Sequence, residues 1–375
     1  MRSSGIIINM IVLLSLSSGC MSGNEGGHAN SGNTNGPGAQ SRGETLVLQR
    51  VWEPREKAFS LLIPKGWSYT GGIYRLDPTT SGGAGNAIEA KLDFSVISDQ
   101  QGSVMIRWLP DMYYFDMSRS PAGQMGLFPT GSNYNGMTVI PKMNAALFTE
   151  NIVIPYIHPG LQGISITERK NAPDVARMIM NQDKYMMANF IYDAAITTLT
   201  YRENGIEYQE KIVTVVMDFG DLGAGLWKNR STFYARAPKG QFENYEPIFG
   251  EIINSVKINM NWLIGEIRGQ VQRNQIHQDV LNTIQRMDQE IAEHQRKTNY
   301  EINNDMFLTL TEQEEYVNPY TKEVEVGSNQ WQYRWVNQDN EVVYSNNQDY
   351  DPNMDDLINR NDYKLTPVRE RKISH

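Results

Sequence analysis

The sequence predicts an α+β fold with mostly antiparallel strands and a few amphipathic helices. Three patterns carry that prediction. Ala87–Ile97 alternates, with Ile88, Ala90, Leu92, Phe94 and Val96 expected inward and Glu89, Lys91, Asp93 and Ser95 expected outward. An Asn204-Gly205 pair separates two β-rich runs, AITTLTYR and IEYQEKIVTVVMDF, and these two residues tolerate the positive φ of a tight hairpin turn. Apolar residues recur at helical spacing in Ala172–Tyr192, where Pro173 marks the start. They do so again in Phe242–Asn254, where Tyr245, Ile248, Phe249, Ile252 and Ile253 form one face.

The folded part is expected to begin near Glu44. TLVLQRVWE and KAFSLLIP read as the first two strands, and Gly66 in the Pro64–Trp67 turn permits the tight reversal. GGIYRLDP is a third strand, TTSGGAGN a loop, and SVMIRWLP a natural partner for Ala87–Ile97. From Asp111 to Pro141 the pattern breaks into Pro, Gly, Asn and aromatic residues, as expected of a long insertion packed by its own side chains. Asn144–Ile154 reads as a helix stopped by Pro155, Gln162–Lys170 as a strand, and LWKNRSTFYARAP as a further long strand. SVKI closes a domain spanning 44–258.

A long helix is expected over 259–298. Ile276, Val280, Ile284, Met287 and Ile291 give it a narrow apolar stripe suited to lying on the domain. The last unit, 299–375, contains KEVEV, NQWQYRWV and EVVYS separated by turn residues, which reads as a small three-stranded β-meander. Three short strands are marginal alone, so the tail is expected to dock on the rest of the chain.

The N-terminus reads as delivery apparatus. Arg2 precedes an apolar run, Ile6–Leu16, that is too short for a bilayer needing about 20 residues. Ser17-Ser18-Gly19 and the chain's single cysteine, Cys20, follow. This stretch is similar to a bacterial lipobox, with Gly19 and Ser18 in the small-residue positions and Leu16 four before the cysteine. The resemblance implies cleavage of a signal peptide, 1–20, and a diacylglyceryl group on Cys20. That anchor would hold the protein on the extracytoplasmic face of a membrane. Residues 21–43, rich in Gly, Ser and Asn, read as a flexible tether reaching about 25 Å.

Composition narrows the partners. The formal net charge is −9 and no basic stretch stands out, which argues against nucleic acid. One cysteine excludes an intrachain disulfide and a Cys-based zinc site. The five histidines are scattered: His28 in the tether, His158 in a Pro-flanked turn, His277 and His294 far apart on the long helix, and His375 at the end. None pairs by spacing with a nucleophile or a metal ligand, so neither an enzyme nor a cofactor is expected.

A leading strand ending in IPKGW, a late strand holding Trp227 followed by APKGQF, and a final helix running into INSVKI resemble the PsbP-like family. That group includes photosystem extrinsic proteins, Ran-binding relatives and bacterial lipoproteins. The resemblance covers 44–258 and implies a mostly antiparallel sheet sandwiched between helices, in proteins that bind or assemble rather than catalyse. The tail, in turn, resembles the ending of uncharacterised exported lipoproteins.

Two weak sites remain. Trp331, Tyr333 and Trp335 alternate, so their rings are expected on one face, either as core of the meander or as a platform for a glycan. Asp349, Asp351, Asn353 and Asp355 have oxygen side chains at calcium-loop spacing. Met354 stands where such a loop needs Gly and Arg360 where it needs Glu, so no metal is expected. The expectation is a membrane-anchored lipoprotein serving as a binding module at the cell envelope, its ligand a glycan or an envelope protein. The alternative is a structural or assembly factor that docks a protein partner through the long helix and tail, and the third reading is an enzyme of unidentified reaction.

Overall fold

The computed structural model describes residues 45–119, 123, 126, 128–183, 190–223, 225–273 and 313–369. The signal peptide, Cys20, the tether, the apolar stripe of the long helix, and His28, His277, His294 and His375 lie outside the described residues.

The fold is α+β and almost wholly antiparallel. In chain order the strands are β1 (Thr45–Trp52), β2 (Phe59–Pro64), β3 (Ser68–Tyr74), β4 (Lys91–Ile97), β5 (Met105–Trp108), β6 (Tyr113–Phe115), β7 (Asn133–Tyr134) and β8 (Met137–Val139). There follow β9 (Ser165–Asn171), β10 (Ile191–Glu203), β11 (Ile206–Asp218), β12 (Leu226–Asn229), β13 (Phe233–Pro238) and β14 (Lys257–Ile258). The tail adds β15 (Gln313–Val317), β16 (Val324–Ser328), β17 (Tyr333–Val336), β18 (Val342–Ser345) and β19 (Lys364–Leu365).

The large sheet runs β3-β4-β5-β13-β11-β12-β6-β8-β7, and β10 and β9 extend it from β11. β10 and β11 are its spine. Glu203 stands opposite Ile206 across Asn204 and Gly205, both at positive φ, so the Asn-Gly pair makes the two-residue turn. The register then holds along both 13-residue strands. One face packs Phe94, Trp108, Phe233 and Ala235 against the helix Phe242–Asn254, the helix Pro173–Gln182 and the inner side of β2. The other face packs Leu199, Ile212, Val216 and Trp227 against a helical run from Ala145 to Ile157. That run passes Pro155 instead of stopping before it. Its middle, Thr149–Val153, is π-helical, and the wider turn lets the chain continue into Ile154–Ile157 with Pro155 in the first helical positions.

Three expectations are corrected. The segment 111–141 is not a self-packed insertion: β6, β7 and β8 are the far edge of the large sheet, with β6 and β8 its one parallel pair among the described strands. The strand expected from Ala87 begins only at Lys91, and Glu89 and Lys91 are buried rather than outward. Tyr113 and Lys228, brought over by β6 and β12, cover the side that alternation would leave to water.

The tail is not a three-stranded meander. β16 pairs with β15 in a separate ribbon, while β17 and β18 form a hairpin. That hairpin adds directly to β1, with Leu46 opposite Tyr344 and Leu48 opposite Val342, giving a second sheet of order β14-β2-β1-β18-β17-β19. The first described strand is therefore held on one side by β2 and on the other by the C-terminal tail. The long helix is described as Met260–Arg273, and no helix among the described residues is long and apolar enough to cross a membrane.

Candidate functional site

A groove of about 550 Å³ opens over the sheet where β3, β4 and β5 lie side by side. Its floor follows from register. Thr70 stands opposite Ser95, Ser95 opposite Arg107, and Gly72 opposite Asp93. Asp93 and Ser95 are two apart on β4 and so share a face. Arg107 donates to both oxygens of Asp93, Nε to Oδ1 and Nη2 to Oδ2, each at 2.8 Å. This is the parallel two-bond geometry in which guanidinium and carboxylate fit best. The pair is only partly covered, with Arg107 27% and Asp93 30% exposed. The bonds to Asp93 lift the Arg107 pKa above its ordinary value, so the charge is permanent.

Arg55, Thr70, Gly71 and Tyr74 complete the lining. Arg55 projects from the turn after β1, where its guanidinium donates to Ile73 O at 3.3 Å and is otherwise exposed. Burial, then Tyr156 and Asp93, push Tyr74 up to about 12, so its phenol keeps its proton. Tyr156, from the end of the helical run, is 53% exposed and is raised by burial and by the same Asp93. The turn carrying Arg55 is built on a buried carboxylate. Glu53 Oε1 accepts from Arg55 N and Ile73 N, each at 2.9 Å, while Oε2 accepts from Glu56 N at 2.8 Å and Ala58 N at 3.3 Å.

These groups can form hydrogen bonds and ion pairs. Asp93 is engaged by Arg107 and both phenols are protonated, so the groove offers donors, a fixed positive charge and ring surface. That is the chemistry of recognition.

Two other polar clusters are sealed inside. Glu89 Oε1 accepts from Lys91 Nζ at 3.1 Å and Lys228 Nζ at 2.9 Å, and Tyr113 Oη donates to Glu89 Oε2 at 3.0 Å. Arg230 beside them binds Asp183 at 2.9 Å. In the second cluster His158 Nε2 lies 3.1 and 3.2 Å from the Glu210 oxygens, and Tyr201 Oη donates to the same carboxylate at 2.9 Å. The turn histidine is thus a buried partner of β11, a pairing no sequence spacing reveals. Neither cluster opens on the groove, and both read as structural.

The sequence-derived candidates fall elsewhere. Trp331, Tyr333 and Trp335 do not share a face. β17 begins only at Tyr333, so Trp331 sits in a bend outside the alternating register. Trp331 packs with Leu46, Val342 and Tyr344 on one side of the second sheet, while Tyr333 and Trp335 pack with Val343, Ile358 and Tyr363 on the other. Asp351, Asn353 and Asp355 hold their own loop. Asp351 accepts from Asn353 N at 2.9 Å, Asn353 Nδ2 donates to Tyr363 O at 3.0 Å, and Asp355 accepts from Tyr350 Oη at 2.7 Å. Asp349 is exposed beside them, its N–H donating to Asn347 Oδ1 at 3.0 Å. Among the described residues no three His, Cys, Asp or Glu side chains come together as a metal site.

Arg55, Tyr74, Arg107 and Tyr156 were not singled out in the sequence. The available signal was an Asp on one strand and an Arg on the next, both on the outward phase of alternating strands, beside a Gly-Gly step. No protein-family model matches the chain, and no curated protein matches it. Among solved structures it is similar to the solution structure of cyanobacterial PsbP (CyanoP) from Synechocystis sp. PCC 6803. The match is at 9% identity and covers 61% of this chain and 98% of that one, with a TM-score of 0.25. At that TM-score the likeness carries no argument about the site.

Proposed function

We propose that this chain is an exported lipoprotein, acylated at Cys20, whose folded part is a binding module at the cell envelope with the β3–β4–β5 groove as its binding surface. The fold that goes with this proposal is PsbP-like, and helices on both faces of an antiparallel sheet support it. The observation that carries the binding role is the convergence of Arg55, Tyr74, Asp93 and Arg107 on one open groove, with Tyr156 close enough to raise the Tyr74 pKa. The envelope location rests on the Arg2, Ile6–Leu16 and Cys20 pattern.

Two measurements test it. Labelled palmitate is expected to enter the wild type and not Cys20→Ser. Full-length protein in detergent is expected to sediment with isolated cell-wall material, and Arg55→Gln is expected to stay in the supernatant. Equal labelling of both chains overturns the anchor. Equal sedimentation of both proteins, or of neither, overturns the groove as the binding surface.

A further inference from the structure

We infer that the groove takes a carboxylate-bearing saccharide, such as a uronic acid or muramic acid unit within a polymer. The inference rests on the groove being the binding surface and adds the class of ligand.

Charge comes first. Asp93 neutralises Arg107 through two 2.8 Å bonds. Arg55 is left as a second guanidinium on the rim, exposed and, among the described residues, bonded at its head to the Ile73 carbonyl and in no ion pair. The groove therefore holds one unneutralised positive charge in a fork shaped for a carboxylate.

The Asp93–Arg107 pair supplies the second element. Each group spends one edge on the other, Arg107 also bonds Tyr234, and both remain about 30% exposed toward the groove. A carboxylate acceptor next to guanidinium donors matches a pair of neighbouring hydroxyls, each of which both donates and accepts. Ser95 and Thr70, facing each other across β4 and β3, extend that array. Tyr74 adds ring surface in the lining for the C–H side of a sugar, Tyr156 stands exposed near it, and their raised pKa values keep both phenols as donors.

The backbone argues against a peptide. Peptides gain much of their affinity by adding a strand to an open edge. β4, the middle of the floor, is hydrogen-bonded to β3 on one side and β5 on the other, so among the described strands the free edge belongs to β3 at the side of the groove and not to its centre. Recognition there falls to side chains projecting from a sheet face, which suits a ring bearing hydroxyls. Gly71, at φ +88°, lets β3 lie close against β4, since a Cβ there would stand 2.1 Å from Asp93 O.

The test is isothermal titration of the full-length protein in detergent. The probes are trigalacturonate, the N-acetylglucosamine–N-acetylmuramic acid disaccharide, trigalacturonate methyl ester and pentaglutamate. At least one of the two acidic sugars is expected to bind. Loss of its charge through the ester (for trigalacturonate), or of the partner through Arg55→Gln, is expected to weaken binding by about tenfold or more. Tyr156→Ala, at an exposed position that leaves the core intact, is expected to weaken it as well. Binding of neither acidic sugar overturns the inference, as does equal binding of the methyl ester or equal binding of pentaglutamate. Sedimentation with wall material that depends on Arg55, combined with no binding of either acidic sugar, would leave the binding surface standing and remove only the ligand class.

Discussion

The carboxylate of Glu53 occupies the space that Gly72 leaves by having no side chain. A Cβ on Gly72 would stand 2.2 Å from Glu53 Oε1, and the glycine sits at φ +128°. Glu53 cannot swing aside cheaply, because its two oxygens hold three backbone N–H groups of the turn that carries Arg55 and a fourth, Ile73 N, on β3. The Gly-Gly step on β3 thus admits the acid that shapes one wall of the groove.

Gly72→Ala is accordingly expected to cost about 3 kcal/mol or more, from backbone strain and from displacing a buried carboxylate off its donors. Urea denaturation measures it. Glu53→Ala removes the collision but leaves the N–H groups unmet, so the two changes together are expected to cost less than their sum. Simple additivity would show that the two residues are not coupled as described.

Glu89 is the centre of a buried charge network. Burial works against its charge, but Lys228 and Lys91 more than offset it and hold the pKa at about 2. Glu89→Gln takes the nearest anion from two fully buried lysines, Lys228 keeping Asp111 at 3.8 Å, and the expected loss is about 3–5 kcal/mol. The pH dependence has a definite sign. The folded pKa lies below the ordinary 4.5, so the stability Glu89 contributes is present above about 4.5 and is lost as pH falls toward about 2. Acid titration of the melting temperature is expected to show this loss in the wild type and a smaller one in Glu89→Gln.

Glu251 gives the opposite slope. It lies on the helix Phe242–Asn254, is 3% exposed, and accepts from Tyr344 Oη of the tail at 2.9 Å. Burial raises its pKa to about 7, although Tyr344, Arg334 and the Ser328 backbone pull it down. A folded pKa above the unfolded 4.5 means stability fully present below about 4.5 and lost as pH rises through about 7. The loss is on the order of 3 kcal/mol. Glu251→Gln is expected to flatten the stability profile between those limits. An unchanged slope would place the titration elsewhere.

The parts of the fold legible in the sequence were those with local causes. The Asn204-Gly205 hairpin follows from two φ preferences, and Phe242–Asn254 follows from its apolar period. What stayed hidden depends on partners far along the chain. Glu89 and Lys91 look solvated by alternation, and only β6 and β12 covering their face make them core. The pairing of β1 with β18 joins residues at opposite ends of the chain, and no local pattern encodes it. The groove was hidden for the same reason. Asp93 was legible on the outward phase of β4, while Ser95 on the same phase is buried, and Arg107 and Arg55 reach the groove only through register and through the turn that Glu53 organises.

The tail aromatics provide the last test, because the structure separates rings that alternation would group. Trp335 is 9% exposed, with its ring 5.7 Å from Tyr333 and 6.0 Å edge-on to Tyr350, among Val343, Ile358 and Tyr363. Trp331 lies across the sheet, 6.2 Å from Tyr344. β17 carries Trp335 and pairs with β18, which in turn holds β1, so loosening this face loosens the grip on the first strand. Trp335→Ala is expected to cost about 3–5 kcal/mol, as for other buried large aromatics. Double-mutant cycles separate the two arrangements. Tyr333→Ala and Trp335→Ala are expected to couple by about 0.5–1.5 kcal/mol, the range for aromatic pairs in contact. Trp331→Ala and Trp335→Ala, with the sheet between them, are expected to add within about 0.5 kcal/mol. Coupling of the second pair as strong as the first would return all three rings to a single face.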